Sequence, residues 1–248
     1  MRQVPESQKS SSPYSDQHTY LIIGNGRVAR HVKHYFSLLD IKFSHWWRGS
    51  GEDLRQMHRP RSTVLLLIND SAIVTFLKTH SYLKKDSHVV HFSGSLVDSD
   101  IIGAHPLMTF SSELMSLDEY KNIPFVMDKE QQHRQAATFP DLPNKFYFLD
   151  SELKPLYHSL CVMAGNFTVL LWQKFFKSLE EKFELPAVIG KPFMEKIFAN
   201  LNSDQQKALT GPLSRGDTKT IKTNLEALAN DPYQRVYKSF VEAFGMEA

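Results

Sequence analysis

From Thr19 to Asp150 short β-rich runs alternate with helix-like segments, and this alternation restricts the fold more than any other feature of the chain. It is the pattern of a largely parallel sheet covered by helices. Strands are expected at 19–23 (TYLII), 41–46 (IKFSHW), 63–68 (TVLLLI), 88–92 (HVVHF), 101–105 (IIGAH), 123–127 (IPFVM) and 145–149 (KFYFL). Several are apolar almost throughout, as strands buried on both faces must be. After Asp150 the character changes. The segment SELKPLYHSLCVMAGNFTVLLWQKFFKSLEEKF keeps helical apolar spacing without a strand boundary, so it reads as one long helix. Ser151 is placed to cap it, and Pro155 falls early enough to be tolerated. Further helices are expected near 187–200, 203–209 and 218–229, with a last one from about 233. The chain thus divides into a flexible polar tail (1–18), an α/β domain (19–150) and an all-α domain (151–248).

The 29 Lys and Arg residues nearly balance 27 Asp and Glu, leaving a formal charge of +2. That balance does not suit a surface built for nucleic acid or an anionic membrane, and it points to a small-molecule partner. The single cysteine, Cys161, excludes an intramolecular disulfide and fits a reducing cytoplasm. It falls in an apolar stretch and is expected to be a buried, inert thiol. No apolar run approaches the ~20 residues that span a bilayer, and the tail lacks the apolar core of a secretory signal. Phe167, Trp172, Phe175 and Phe176 are expected in the core or a subunit interface.

The first strand runs into GNGRVA, which fits G-x-G-x-x-A with Gly24, Gly26 and Ala29 at the key positions. In such a turn the first glycine permits the bend, the second lets a pyrophosphate approach the backbone, and the third small residue lets helix and strand pack closely. Free N–H groups and the helix dipole favour the anion. A tight turn that binds nothing would use the same glycines. Here a strand precedes the turn, and a helix with Val28, Val32, Tyr35, Phe36 and Leu39 on one face leads to a second strand. The βαβ frame makes Gly24, Asn25, Gly26, Arg27 and Val28 a dinucleotide cradle. At the end of the second strand, where an acidic residue would hold the ribose hydroxyls of NAD, the chain has HWWRGSGED. Arg48 and Ser50 stand there instead. A guanidinium can pair with a 2′-phosphate through two hydrogen bonds, so NADP is expected as cofactor.

HFSGSL (91–96), GAHPLMTF (103–110) and LTGPLSRGDTKTIKTNLEAL (209–228), taken with the glycine turn and KPLYHSLCVMAGN (154–166), resemble the Rossmann-like proteins that carry the domain of unknown function numbered 2520. The likeness runs from about Tyr20 to the C-terminus. That family looks related to pyrroline-5-carboxylate reductase, ketopantoate reductase and the 6-phosphogluconate and β-hydroxyacid dehydrogenases. The resemblance implies a Rossmann NADP-binding domain followed by a helical domain of the 6-phosphogluconate dehydrogenase C-terminal type, which often supports dimerisation. It supplies no substrate.

Ligands of an open α/β sheet bind beyond the carboxyl ends of its strands. By similarity to the relatives, Asn69, Asp70 and Ser93 lie near the cofactor, while His91 and His105 line the substrate cleft. Lys154 and His158 share a helix face at i and i+4, matching a Lys and an Asn that face the substrate in β-hydroxyacid dehydrogenases. At 100° per residue Asn166 borders the same cleft. Lys154 or His158 is thus the expected general acid/base of hydride transfer between NADPH and a carbonyl or imine, with Asn166 beside them. Arg215 is expected either to reach an anionic substrate, as the family suggests, or to form a structural salt bridge. Asp217 is placed to cap the helix after it. His91, His105 and His158 also invite a metal reading, but no spacing is diagnostic and no metal is expected. A non-catalytic NADP-binding sensor and a methyltransferase are the alternatives, and the helical C-terminal domain does not suit the latter.

Overall fold

The computed structural model describes residues 18–247; the expected tail, but for His18, lies outside the described residues. In chain order the first part comprises β1 (Tyr20–Ile23), α1 (Arg27–Leu38), β2 (Phe43–Trp46), α2 (Leu54–Met57), β3 (Thr63–Leu66), α3 (Asp70–Thr79), α4 (Leu83–Asp86), β4 (His88–His91), β5 (Ile102–Pro106), α5 (Leu117–Lys121), β6 (Phe125–Asp128), α6 (Gln135–Thr138) and β7 (Phe146–Leu149). All seven expected strands form. They make one sheet in the order β2-β1-β3-β4-β5-β6-β7, in which every neighbouring pair is parallel except β5 and β6.

Alternation along these strands builds two apolar layers, because successive side chains point to opposite faces. Tyr20, Ile22, Leu65, Val90, Ile102, Ala104 and Met127 pack with Ala29, Val32 and Phe36 of α1 on one face. Leu21, Ile23, Val64, Leu66 and Val89 pack with Leu54, Ile73, Leu77 and Leu83 from α2, α3 and α4 on the other. That second layer does not continue across the sheet. The row Ile23, Leu66, His91, Gly103 lies in register across β1, β3, β4 and β5. Asp128, at the end of β6, follows Gly103 and accepts its backbone N–H at 3.1 Å. The row therefore turns from apolar to polar at β4. Because β5 begins where β4 ends, it overhangs the row and carries His105 beyond the strand ends.

After β7 a 3₁₀ turn at Ser151–Leu153 leads into α7 (Lys154–Val162), a π segment (Met163–Phe167) and α8 (Thr168–Phe183). The expected long helix is present, interrupted by the π turn, and Pro155 sits in the first turn of α7 as expected. Ser151 does not cap it. Its hydroxyl donates to Glu130 Oε2 at 2.5 Å instead. Downstream are α9 (Lys191–Ser203), α10 (Pro212–Arg215), α11 (Thr218–Ala227) and α12 (Tyr233–Ala243). The separate helix expected at 203–209 does not form: Ser203 is the last residue of α9, and 204–209 are not helical. The Asp204 carboxylate accepts from Gln206 N and Lys207 N at 3.1 and 3.2 Å, and a local turn satisfies the backbone there. Asp217 caps α11 as expected, accepting from Thr220 N at 3.0 Å.

Contacts divide the chain into two compact units, through Val169 and from Leu170. The division falls inside the long helical stretch and not at 150, because Lys154 ties α7 to the sheet through Asp128. In the second unit Trp172, Phe175, Phe176 and Phe193 form an aromatic cluster. Lys174 and Lys182 converge on Asp231 at 2.6 and 3.1 Å. Trp172, Phe175 and Phe176 are half-buried in this unit, while Phe167, in the first, is exposed. Cys161, expected to be sealed in the core, is half-buried.

Candidate active site

The glycine turn lies between β1 and α1, at the point where the sheet order reverses between β1 and β3. Gly24 has φ +126°, a conformation L side chains rarely adopt, and a Cβ there would collide with the Leu67 carbonyl at the end of β3. Gly26 is the opposite case. A Cβ added to it would meet nothing within 4 Å, so the space over it is open. Gly26 is also the N-cap of the twelve-residue α1, whose first turn contains no acidic residue and receives no side-chain cap. Asn25, Gly26 and Arg27 are exposed, Val28 is half-buried, and Ala29 is fully buried against the sheet. The N–H groups and positive dipole end of α1 are thus left uncovered at Gly26, and a helix end of this kind favours an anion.

His45 supports this turn in a way that sequence reading missed. Its Nε2–H donates to the Gly24 carbonyl at 2.7 Å, and Trp47 stacks on its ring at 4.8 Å. The Trp46 indole N–H donates to the Glu52 carbonyl at 2.9 Å and fixes the loop after β2. Arg48 is exposed in that loop, with no carboxylate at ion-pair distance among the described residues. Ser50 accepts from Glu52 N at 3.3 Å.

A second group of polar side chains gathers where β4, β5 and β6 meet α7. Lys154 and Asp128 form an ion pair at 2.7 Å, with side chains 3% and 4% exposed. Gly103 makes room for it: a Cβ there would collide with both Lys154 Nζ and the Asp128 carboxylate. Burial raises the Asp128 pKa, and the Lys154 ammonium works against that rise. His91, one place along the row, is completely buried with neither ring nitrogen hydrogen-bonded to the described protein. Its pKa is pushed down to about 3, by burial first and then by Lys154. His91 is thus part of the sheet wall behind the ion pair and does not line an open cleft.

One turn further along α7, His158 packs so closely on Gly94 that a Cβ there would strike its ring. His105 lies beside it, ring centroids 5.7 Å apart, with Nδ1 2.9 Å from the Tyr157 hydroxyl. Burial, then the nearby His158 and Lys154, bring the His105 pKa down to about 4. Asp70, in the first turn of α3, raises it slightly and accepts from Ser93 Oγ at 2.5 Å. Asn69 is the exposed N-cap of α3. The structure therefore brings Asp70, Ser93, His105, Lys154 and His158 into one group of neighbouring polar side chains, with His91 behind it. Asn166 falls in the π segment, where the 100° advance per residue does not apply, and it is exposed. Arg215 is exposed on α10 in the second unit and makes no ion pair among the described residues. Among the described residues no three His, Cys, Asp or Glu side chains gather in metal-holding geometry.

Asp128, Tyr157, Gly103 and His45 escaped the sequence reading. One signal was available for Asp128, a charged residue closing an otherwise apolar strand. Nothing local marks the other three.

This fold, a seven-stranded, mostly parallel sheet with a glycine turn at its switch point, is that of a Rossmann-like protein followed by a helical C-terminal region. Residues 123–244 match the domain of unknown function DUF2520. No curated protein matches the chain. Among solved structures it is similar to a Bacteroides fragilis protein assigned as an NADP oxidoreductase, at 22% identity and TM-score 0.69, covering 92% of this chain and 98% of that one. A Streptomyces aurantiacus imine reductase aligns at 12% identity and TM-score 0.61 over 92% and 93% of the two chains. A Plasmodium falciparum pyrroline carboxylate reductase with NADP bound aligns at 10% identity and TM-score 0.53 over 91% and 96%. At these identities the likeness establishes the fold.

Proposed function

We propose that the chain is an NADP-dependent oxidoreductase that moves hydride between NADPH and a small carbonyl or imine compound. The observation that carries this reading is the continuity of the two sites. Gly24 abuts the end of β3, Asp70 begins the helix after β3, Ser93 bonds to Asp70, and the adjoining Gly94 lies against His158. A dinucleotide held at the α1 N-terminus would thus extend toward the Lys154–His158 wall. Gly24, Asn25, Gly26, Arg27 and Val28 would hold its pyrophosphate, Asn69, Asp70 and Ser93 the part nearest the cleft, and Arg48 with Ser50 the 2′-phosphate. The cofactor supplies the hydride.

This chain's own residues orient the acceptor carbon and hold the compensating proton. His158 is the better placed donor, since Lys154 is engaged by Asp128. Lys154 then acts mainly as a fixed charge beneath the site. The relatives whose names specify imine or pyrroline carboxylate reduction are consistent with this reaction type.

Fluorescence titration with NADPH and NADH tests the cofactor assignment. NADPH should bind at least roughly tenfold more tightly, and Arg48→Glu should erase that preference. Equal binding of the two by the unmodified chain would refute the phosphate clamp. NADPH binding with no substrate-dependent change at 340 nm, and none on replacing His158, would favour the non-catalytic sensor.

We further infer a homodimer formed through the C-terminal helices, in the cytoplasm. Exposed Phe193, Phe198, Phe240 and Phe244 leave apolar area that a monomer would rarely show to water. No helix among the described residues is long and apolar enough to cross a membrane. Sedimentation at micromolar concentration should give twice the chain mass.

A further inference from the structure

We infer that Tyr157 is a positioning residue that fixes His105 as a neutral imidazole with its proton on Nε2, so that His105 donates a hydrogen bond to the carbonyl oxygen or imine nitrogen of the substrate. The inference rests on the oxidoreductase reading for its substrate, but its structural half stands alone. His105 sits on the overhanging end of β5, past the row where the other strands stop. Its Nδ1 is 2.9 Å from the Tyr157 hydroxyl, and the two rings meet edge to face at 5.6 Å. Nε2 has no hydrogen-bond partner among the described residues and, unlike His158 Nδ1, is not among the atoms sealed from solvent without a partner. One nitrogen is thus held from behind while the other faces the cleft.

The direction of the Tyr157 bond sets the tautomer. A phenol that keeps its proton donates it to Nδ1, which must then be the unprotonated nitrogen, and the ring proton stands on Nε2. Burial, and then the neighbouring Cys161, hold the Tyr157 pKa above its ordinary value, so the phenol retains its proton across the neutral range. Cys161 stands four residues on, one turn along the same helix. Among the described residues the Tyr157 hydroxyl has no hydrogen-bond partner other than His105 Nδ1, so its proton is directed to that nitrogen.

The groups that face His105 are His158 and Lys154 from α7 and Asp70 from α3. Burial and the first two keep the imidazole uncharged, and Asp70 is the weaker opposing influence. A neutral Nε2–H aimed at a developing negative charge stabilises it without giving up its proton. In the hydride step, as the C=O or C=N π pair moves onto the heteroatom, that atom becomes the stronger acceptor for Nε2–H. The compensating proton comes from His158.

The test is ¹⁵N–¹H correlation of histidine side chains in the full-length protein, with the His105 signals assigned by their loss in His105→Gln. A single Nε2–H tautomer from pH 6 to 8, giving way to a tautomer mixture in Tyr157→Phe, is the expected result. An Nδ1–H tautomer in the unmodified protein, or an unchanged His105 spectrum in Tyr157→Phe, would overturn the inference. Turnover supplies the second readout, using NADPH with 1-pyrroline and with cyclohexanone. Tyr157→Phe should lower kcat by roughly a hundredfold while leaving NADPH affinity unchanged. An equal loss in both would mark Tyr157 as merely structural and refute its positioning role. If neither compound is turned over while the tautomer is as stated, the oxidoreductase reading fails at these substrates and the Tyr157–His105 arrangement stands.

Discussion

The glycine turn and the polar row at β4–β6 are both parts of one sheet edge, yet they are built from different materials. The turn is made of backbone: Gly24 and Gly26, the first N–H groups of α1, and a single supporting side chain, His45. The row is made of side chains from separate elements, with Lys154 from α7, Asp128 from β6 and His91 from β4 meeting over Gly103. A backbone device needs only a short consecutive stretch, so it can be written in six residues. A side-chain device needs register, and register is a property of the whole sheet.

The comparison breaks first where the row is cut. Asp128→Ala leaves the Lys154 ammonium buried without its partner, and the expected loss is about 3–5 kcal/mol. The double variant Asp128→Leu/Lys154→Met should recover most of it, since an apolar pair of similar volume removes both desolvation penalties. Urea denaturation of the three proteins checks this. A double variant no more stable than Asp128→Ala would show that the pair does not act as a unit.

The two glycines sharpen the contrast within the turn. Gly24→Ala meets both a positive φ and the Leu67 carbonyl, and about 3 kcal/mol of stability should be lost. Gly26→Ala meets no protein atom, so its stability should stay within about 0.5 kcal/mol. Its NADPH affinity should nevertheless fall roughly tenfold or more, because the added methyl occupies the hollow over the helix end. Loss of stability in both variants, or of affinity in neither, would erase the distinction between a folding glycine and a binding glycine.

The smallest effect is in pH. His91 is neutral in the folded chain down to about pH 3, whereas an unfolded histidine takes up its proton near 6.5. Below that value the unfolded state binds more protons, so stability falls as pH drops, with a slope approaching about 1.4 kcal/mol per pH unit. The fold should therefore weaken between pH 6.5 and 5, and His91→Asn should reduce that dependence, leaving the part due to His105. Denaturation midpoints at pH 7 and pH 5 would show it. Identical slopes in the two proteins would mean that His91 is not the group responsible.

Much of this architecture was legible before any coordinates. The apolar runs marked all seven strands, since a strand covered on both faces has no polar side to confuse its boundaries. GNGRVA marked the turn between β1 and α1, where Gly24 answers a local steric demand and Gly26 leaves the helix end uncovered. The failures have local causes of their own. Ser151 lost its capping role to Glu130, and Asp204 turned the backbone where a helix at 203–209 was expected. The π turn changed the phase on which the placement of Asn166 depended.

The sequence by itself determined the order of elements, the glycine turn and the i, i+4 placement of Lys154 and His158, because these depend on spacing along one segment. Only the tertiary structure decided that Lys154 is buried on Asp128, that His91 is a wall residue, and that Tyr157 stands against His105. The Lys154–Asp128 and Tyr157–His105 contacts join residues 26 and 52 positions apart, and it is the pairing of strands and the seat of α7 that bring them together.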